Sequence, residues 1–233
     1  MNYLRLRHAQ IILACFVISS LLFVLFPGID LGFSRIFFDD GFYLAGQWKS
    51  WIQNSVTYFL CLSVFLVVGL YFYNRRRGRN LCGINGKRLI YLLLVLVVGA
   101  GMIVNGVFKE DFGRARPRDI VEFGGSKIFT PAFVVSHQCD SNCSFSSGDG
   151  AGAFFALALA LALSRKRAVL LSAFAYGALV SYSRVASGAH FLSDCVVSFF
   201  VMLIVADVLY YYVVLTERDR VPGVGLERLY VAG

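Results

Sequence analysis

Apolar residues run along this chain in long blocks, separated by short polar segments rich in arginine. Six blocks stand out: Ala9–Phe26, Val56–Tyr73, Leu89–Phe108, Gly150–Leu163, Ala168–Tyr182 and Cys195–Leu215. A helix rises ~1.5 Å per residue, so about twenty apolar residues cross the ~30 Å hydrocarbon core of a bilayer. The pattern therefore predicts an all-α integral membrane protein, a six-transmembrane-helix bundle formed by residues 1–233 as a single domain. The fourth and fifth blocks are short. Either their helices extend into the flanking polar residues, or those spans are recessed. The first block follows Arg5 and Arg7, as the apolar core of a signal peptide would. The residues after it, Pro27-Gly28-Ile29-Asp30, offer no small-x-small cleavage site, so it is read as a retained span.

The placement of charge orients the bundle. Arg5 and Arg7, then Arg75, Arg76, Arg77, Arg79, Lys87 and Arg88, then Arg165, Lys166 and Arg167, and finally Arg218, Arg220 and Arg228 all fall on one side of six alternating spans. The positive-inside rule makes that side cytoplasmic and the odd-numbered loops external. The first external loop carries Phe33–Phe42, which mixes aromatics with Asp39 and Asp40 and reads as a stretch lying along the membrane surface. The third runs from Lys109 to Asp149 and holds Arg114, Arg116, Arg118 and Lys127, against the general bias. A long polar loop with its own positive charge calls for a local reason, and an anionic ligand is the natural one.

Composition agrees with this picture. The chain is 58% hydrophobic with a net charge of +8, and its mean hydropathy is +0.69. The basic residues flank spans and form no basic domain, which argues against a nucleic-acid partner. Of six cysteines, Cys15, Cys61 and Cys195 sit in or beside apolar blocks as packing residues, and Cys82 lies in a basic loop. Cys139 and Cys143 share an external, oxidising loop, which predicts a disulfide. A C-x3-C pair alone is too sparse for a zinc site.

Three external stretches carry candidate chemistry. Lys109 to Pro117 forms a K-x6-R-P pattern through Arg116, Ser146-Ser147-Gly148-Asp149 opens the fourth span, and Ser183-Arg184 with His190 and Asp194 forms S-R-x5-H-x3-D. Lys109, Arg116 and Arg184 can surround a phosphate, the arginines as planar forks and the lysine as a compact charge. Ser147 and Gly148 precede a helix whose first N–H groups favour an anion. His190 and Asp194 stand four apart, so on a helix they share a face. The carboxylate can then hold one ring N–H and leave the other nitrogen free to attack phosphorus.

Together these stretches resemble the type 2 phosphatidic acid phosphatase superfamily, whose pattern is K-x6-R-P, P-S-G-H and S-R-x5-H-x3-D across six spans. The first and third motifs match at every defining position. The resemblance implies a phosphohistidine intermediate on His190 with Asp194 as its partner. It implies phosphate binding by Lys109, Arg116, Ser147, Gly148 and Arg184, with no metal or other cofactor. The second motif departs, with Ser146 for proline and Asp149 for the histidine that protonates the leaving oxygen. Asp149 acts as that acid only with a raised pKa; otherwise it is a residue that complements the helix dipole, and His137 becomes the alternative acid. Acidic variants at this position look like some bacterial lipid A phosphatases. The expected substrate is accordingly a phosphorylated membrane lipid facing the periplasm of a bacterial inner membrane, lipid A phosphate foremost and undecaprenyl diphosphate second. A degenerate, non-catalytic lipid-binding or transporter-like protein is the rival from another class. No feature points to an obligate protein partner.

Overall fold

The computed structural model describes residues 3–44, 47–164 and 166–215. Arg165 and the expected cytoplasmic cluster Arg218, Arg220 and Arg228 lie outside the described residues, as do the side chains of Arg5 and Arg7. The regular elements of the described residues are helices, with two isolated bridges, Phe38 to Phe42 and Ile120 to Lys127. We number the principal helices α1 (Tyr3–Leu25), α2 (Gly28–Arg35), α3 (Gln47–Arg77), α4 (Gly86–Asp111), α5 (Gly148–Leu163), α6 (Arg167–Ala186) and α7 (Leu192–Val214).

Five of these helices are long and apolar enough to cross a membrane, and α5 is a shorter apolar helix. Their outer faces expose Leu21, Leu25, Phe65, Met102, Leu171 and Leu179, a shell that only lipid solvates favourably. The expected extension of short spans occurs in α6, which runs on to Ala186. It fails in α5, whose 16 residues reach only ~24 Å at 1.5 Å per residue. α5 is instead the recessed helix, packed against α3, α4, α6 and α7. Its sequence explains this place. Gly150, Ala151, Gly152, Ala153, Ala158, Ala160 and Ala162 are buried, and such small residues let helix backbones approach closely in a membrane. The facing Gly177 of α6 leaves room for Phe154; a Cβ there would fall 2.2 Å from the ring.

α4 begins with Asn85, whose side chain accepts from Arg88 N at 3.0 Å. Its turns widen to the π form over Val95–Phe108. Asn105 donates to Ala100 O of its own helix at 2.7 Å, an i−5 contact suited to the wider turn.

The aromatic stretch of the first external loop packs onto the protein. Phe38 and Phe42 pack against Phe123 of the third loop at 5.2 and 5.4 Å between ring centroids, and Phe37 packs edge-on against Tyr182 of α6. Such aromatic pairing adds to what the burial of these rings contributes. α2 is pinned by its buried Asp30. The ends of α4 and α6 and the starts of α5 and α7 thus meet at one end of the bundle, beneath a cap made by α2 and the third loop.

This arrangement, with the charge pattern of the loops, sets an expected topology. In a background without free cysteines, Lys127→Cys should react with a membrane-impermeant thiol reagent added outside intact cells, and Lys166→Cys should react only after lysis. Labelling of position 166 but not 127 from outside would overturn the orientation.

Candidate active site

The chain leaves α4 at Asp111 and must turn sharply to bring the rest of the K-x6-R-P stretch back over the bundle end. Gly113 makes this possible. Its φ is +52°, and a Cβ there would fall 2.0 Å from the Ser136 carbonyl oxygen. Arg114 is thereby driven inward, 1% exposed, while Arg116 emerges at the surface side. At the other end of the site, Gly188 (φ +63°) turns the chain after α6, and a Cβ there would collide with Phe42. That turn returns His190 to the bundle end just ahead of α7.

His190 and Asp194 meet, but not by sharing a helical face. His190 lies in the turn before α7, and Asp194 is in its first turn. The Asp194 carboxylate caps the helix, Oδ2 accepting from Phe191 N at 2.8 Å. The same oxygen accepts from Ser144 Oγ at 2.6 Å, and Oδ1 accepts from Arg114 Nη1 at 2.6 Å. With its oxygens so occupied, Asp194 stands 3.6 Å from His190 Nδ1, beyond hydrogen-bond distance. The ring N–H expected to be held by Asp194 is held by the Ser144 carbonyl oxygen, 2.7 Å from Nδ1. A carbonyl can only accept, so Nδ1 carries the proton and Nε2 keeps its lone pair. Burial pushes the His190 imidazole below its ordinary pKa, opposed by the nearby Asp194 carboxylate. The neutral, nucleophilic ring is therefore the resting form near neutral pH.

A cleft of about 250 Å³ opens beside this ring, lined by Gln53, Lys109, Arg116, Arg118, Asn142, Asp149, Arg184 and His190. Four of these are cations and one is a carboxylate, so the cleft attracts anions. Arg116 donates to the Asn142 carbonyl oxygen at 2.6 Å. Arg184 Nε lies 3.1 Å from Asp149 Oδ2, and its Nη1 donates to Gln53 Oε1 at 3.4 Å. Asp149 thus extends from the first turn of α5 into the cleft, paired with a motif arginine. His137 is exposed on the third loop and does not line the cleft. Ser147 departs from expectation as well. It is fully buried, and its hydroxyl accepts from Gly150 N at 3.1 Å, so it caps α5 rather than facing the cleft. Gly148 packs against Asn105 and Lys109; a Cβ would lie 3.1 Å from the Lys109 ammonium.

Several residues here carry no motif signal. Ser144 holds both members of the His–Asp pair. Asn142 stands in the loop closed by the Cys139–Cys143 disulfide and holds Arg116. Arg114, read with the third-loop basic residues as attracting an external anion, instead answers buried carboxylates. Its Nη2 pairs with Asp30 at 2.8 Å and its Nη1 with Asp194, while its guanidinium lies over the Phe191 ring at 4.2 Å. Asp30 comes from α2, and its one sequence signal is a carboxylate set between Ile29 and Leu31 just after an apolar span. Among the described residues, no group of three His, Cys, Asp or Glu side chains is gathered as a metal site.

Comparison with known proteins agrees with this geometry. The family model of the PAP2 superfamily matches residues 89–218, more than half the chain. A lipid A 4'-phosphatase of Francisella tularensis subsp. novicida is 31% identical over 198 residues, covering 79% of this chain and 86% of that protein. A lipid A 4'-phosphatase of Rhizobium leguminosarum is 32% identical over 213 residues, covering 84% and 90%. In fold, the chain resembles a transmembrane PAP2-type phosphatidylglycerolphosphate phosphatase from Bacillus subtilis, with a TM-score of 0.58 at 20% identity over 88% of this chain and 94% of that one. The chain belongs to the PAP2 superfamily, as a membrane-embedded phosphatase.

Proposed function

We propose that this protein removes the 4'-phosphate of lipid A at the periplasmic face of a bacterial inner membrane, through a phosphohistidine on His190, with the whole chain acting as one catalytic unit. The observation that carries the mechanism is the tautomer. Nδ1 is committed to the Ser144 carbonyl, so Nε2 alone is free to attack beside a cleft of four cations. The similarity to lipid A 4'-phosphatases supports the substrate.

The proposed reaction proceeds in two displacements at phosphorus. Lys109, Arg116 and Arg184 bind the phosphate oxygens and offset the charge that spreads over them in the transition state. Nε2 forms a bond to phosphorus as the bond to the sugar oxygen breaks. The leaving oxygen takes a proton and departs as the sugar hydroxyl. Water then attacks the phosphohistidine, returning the electron pair to Nε2 and releasing inorganic phosphate. Asp194 stays ionised and offsets the positive charge of the phosphorylated ring.

Asp149 is the proton donor this reading assigns. In the free site its carboxylate pairs with Arg184 at 3.1 Å, a contact for which a bound phosphate competes. In the second step the same group accepts the proton of the attacking water.

Purified protein should release phosphate fastest from lipid A bearing the 4'-phosphate, when tested beside 1-phosphorylated lipid A, undecaprenyl diphosphate, phosphatidylglycerol phosphate and phosphatidic acid. His190→Ala should fold and yet release none; turnover by that variant rules out the nucleophile, and phosphate release from none of the five lipids favours a degenerate binding protein. For the proton donor, positioned acid catalysis contributes about 10²–10⁴-fold. Asp149→Asn should slow a monophosphate by that order and a diphosphate much less, because phosphate leaves more readily than an alkoxide. Asparagine is an equally good residue at a helix start, so a rate within a few-fold of the parent would remove Asp149 from the chemistry.

A further inference from the structure

One buried ionic assembly takes no direct part in the proposed reaction. Asp30, Arg114 and Ser193, each no more than 1% exposed, are linked into a closed set of hydrogen bonds behind Asp194. Arg114 donates through Nη2 to Asp30 Oδ2 at 2.8 Å and through Nη1 to Ser193 Oγ at 2.9 Å and Asp194 Oδ1 at 2.6 Å, while its Nε donates to the Thr130 carbonyl at 2.8 Å. Asp30 also accepts from Ser193 N at 2.9 Å and from Ser193 Oγ at 2.5 Å. Burial pushes the Asp30 carboxyl above the ordinary range, and the guanidinium opposes this. All three of its contacts are donors, which only the ionised carboxylate accommodates in full.

We propose that Asp30 and Arg114 are positioning residues of the phosphoryl-transfer reaction, Asp30 setting how far Arg114 neutralises Asp194 and so how much negative charge Asp194 offers the His190 ring. This rests on the reading of His190 as nucleophile. As Nε2 bonds to phosphorus while Nδ1 keeps its proton, the ring becomes positive, and the carboxylate at 3.6 Å is the nearest opposite charge. A lone Arg114 at 2.6 Å would cancel much of that carboxylate. Asp30 takes up the other arm of the guanidinium, so the three charged groups together leave one net negative charge facing the ring. The short helix α2 is in this way a working part of the site, although it touches neither phosphate nor nucleophile.

The groups facing His190 are Asp194 of α7, Arg184 of α6, Arg116 of the third loop and the Ser144 carbonyl; Lys109 of α4 and Asp149 of α5 line the same cleft. Asp30→Asn leaves all of them in place and removes one buried negative charge at nearly constant shape. Two readouts follow. Histidine ¹⁵N NMR of the detergent-solubilised protein should show the His190 midpoint moved to lower pH by about one unit, because the imidazolium form loses stabilisation. The acid limb of kcat should move with it. On the fastest lipid of the panel, kcat should fall about tenfold while KM stays within about threefold, because the phosphate-binding cations are untouched. Ser193→Ala removes one strut with little change of volume, and should lower kcat a few-fold with KM unchanged even where Asp30→Asn does not fold.

An unmoved His190 midpoint in folded Asp30→Asn, or a loss confined to KM, would overturn the inference. So would a parental kcat in Ser193→Ala where Asp30→Asn does not fold. Turnover by His190→Ala would instead overturn the reading on which it rests, so the two failures are distinguishable.

Discussion

Arg114 is 1% exposed, and a guanidinium cannot shed its proton to escape burial. Its charge must therefore be answered inside the protein, and the surroundings are built to do so. Two carboxylates, a hydroxyl and a carbonyl receive its N–H groups, and an aromatic ring lies beneath it. Losing one partner of a buried ion pair typically costs about 3–5 kcal/mol, because the other charge is left uncompensated. That constraint ties α2, the third loop and the start of α7 to one point. Asp194 is fixed there, Ser144 is fixed by Asp194, and His190 is fixed by Ser144. The orientation of the imidazole is the last link of a chain of hydrogen bonds that starts at a buried arginine.

The site divides into a rigid half and an adaptable half. Behind His190, the contacts that Asp194 receives from Arg114, Ser144 and Phe191 are short and buried. In front of it, the cations line a cleft open to ligand; among the described residues, Arg116 is held by the Asn142 carbonyl and Arg184 by Asp149 and Gln53. A nucleophile benefits from fixed geometry. On the proposed reading the arginines bind phosphate and need contacts that a substrate can replace, and the Asp149–Arg184 pair is such a contact. Beneath both halves lies α5, whose small residues let α3, α4, α6 and α7 close around it, so that residues from four helix ends converge on one cleft.

The sequence made legible what depends on period and spacing. Apolar blocks marked the spans, and the two intact motifs named Lys109, Arg116, Arg184, His190 and Asp194, which the fold does gather at one end of the bundle. It was silent where the relation is long-range. Asp30 lies 163 residues from Ser193, and no local pattern links them. Ser144 contributes a backbone carbonyl to His190, a group every residue possesses, so no residue type could announce it. Spacing also misled at His190, because an i, i+4 pair suggests a shared helical face while Gly188 in fact holds the histidine in a turn before the helix. Ser147 was read as a phosphate ligand from its motif, whereas helix capping claims its hydroxyl.

The account turns on a covalent bond between His190 and the phosphoryl group, and that bond can be sought directly. Lipid A carrying a radiolabelled 4'-phosphate would be mixed with the purified protein and quenched in alkali within the first turnover, since phosphohistidine survives base and decays in acid. The account predicts label on the peptide that contains His190, appearing before free phosphate and vanishing as phosphate accumulates. Phosphate release at full rate with no labelled protein at any time, or with label on another residue, would contradict it.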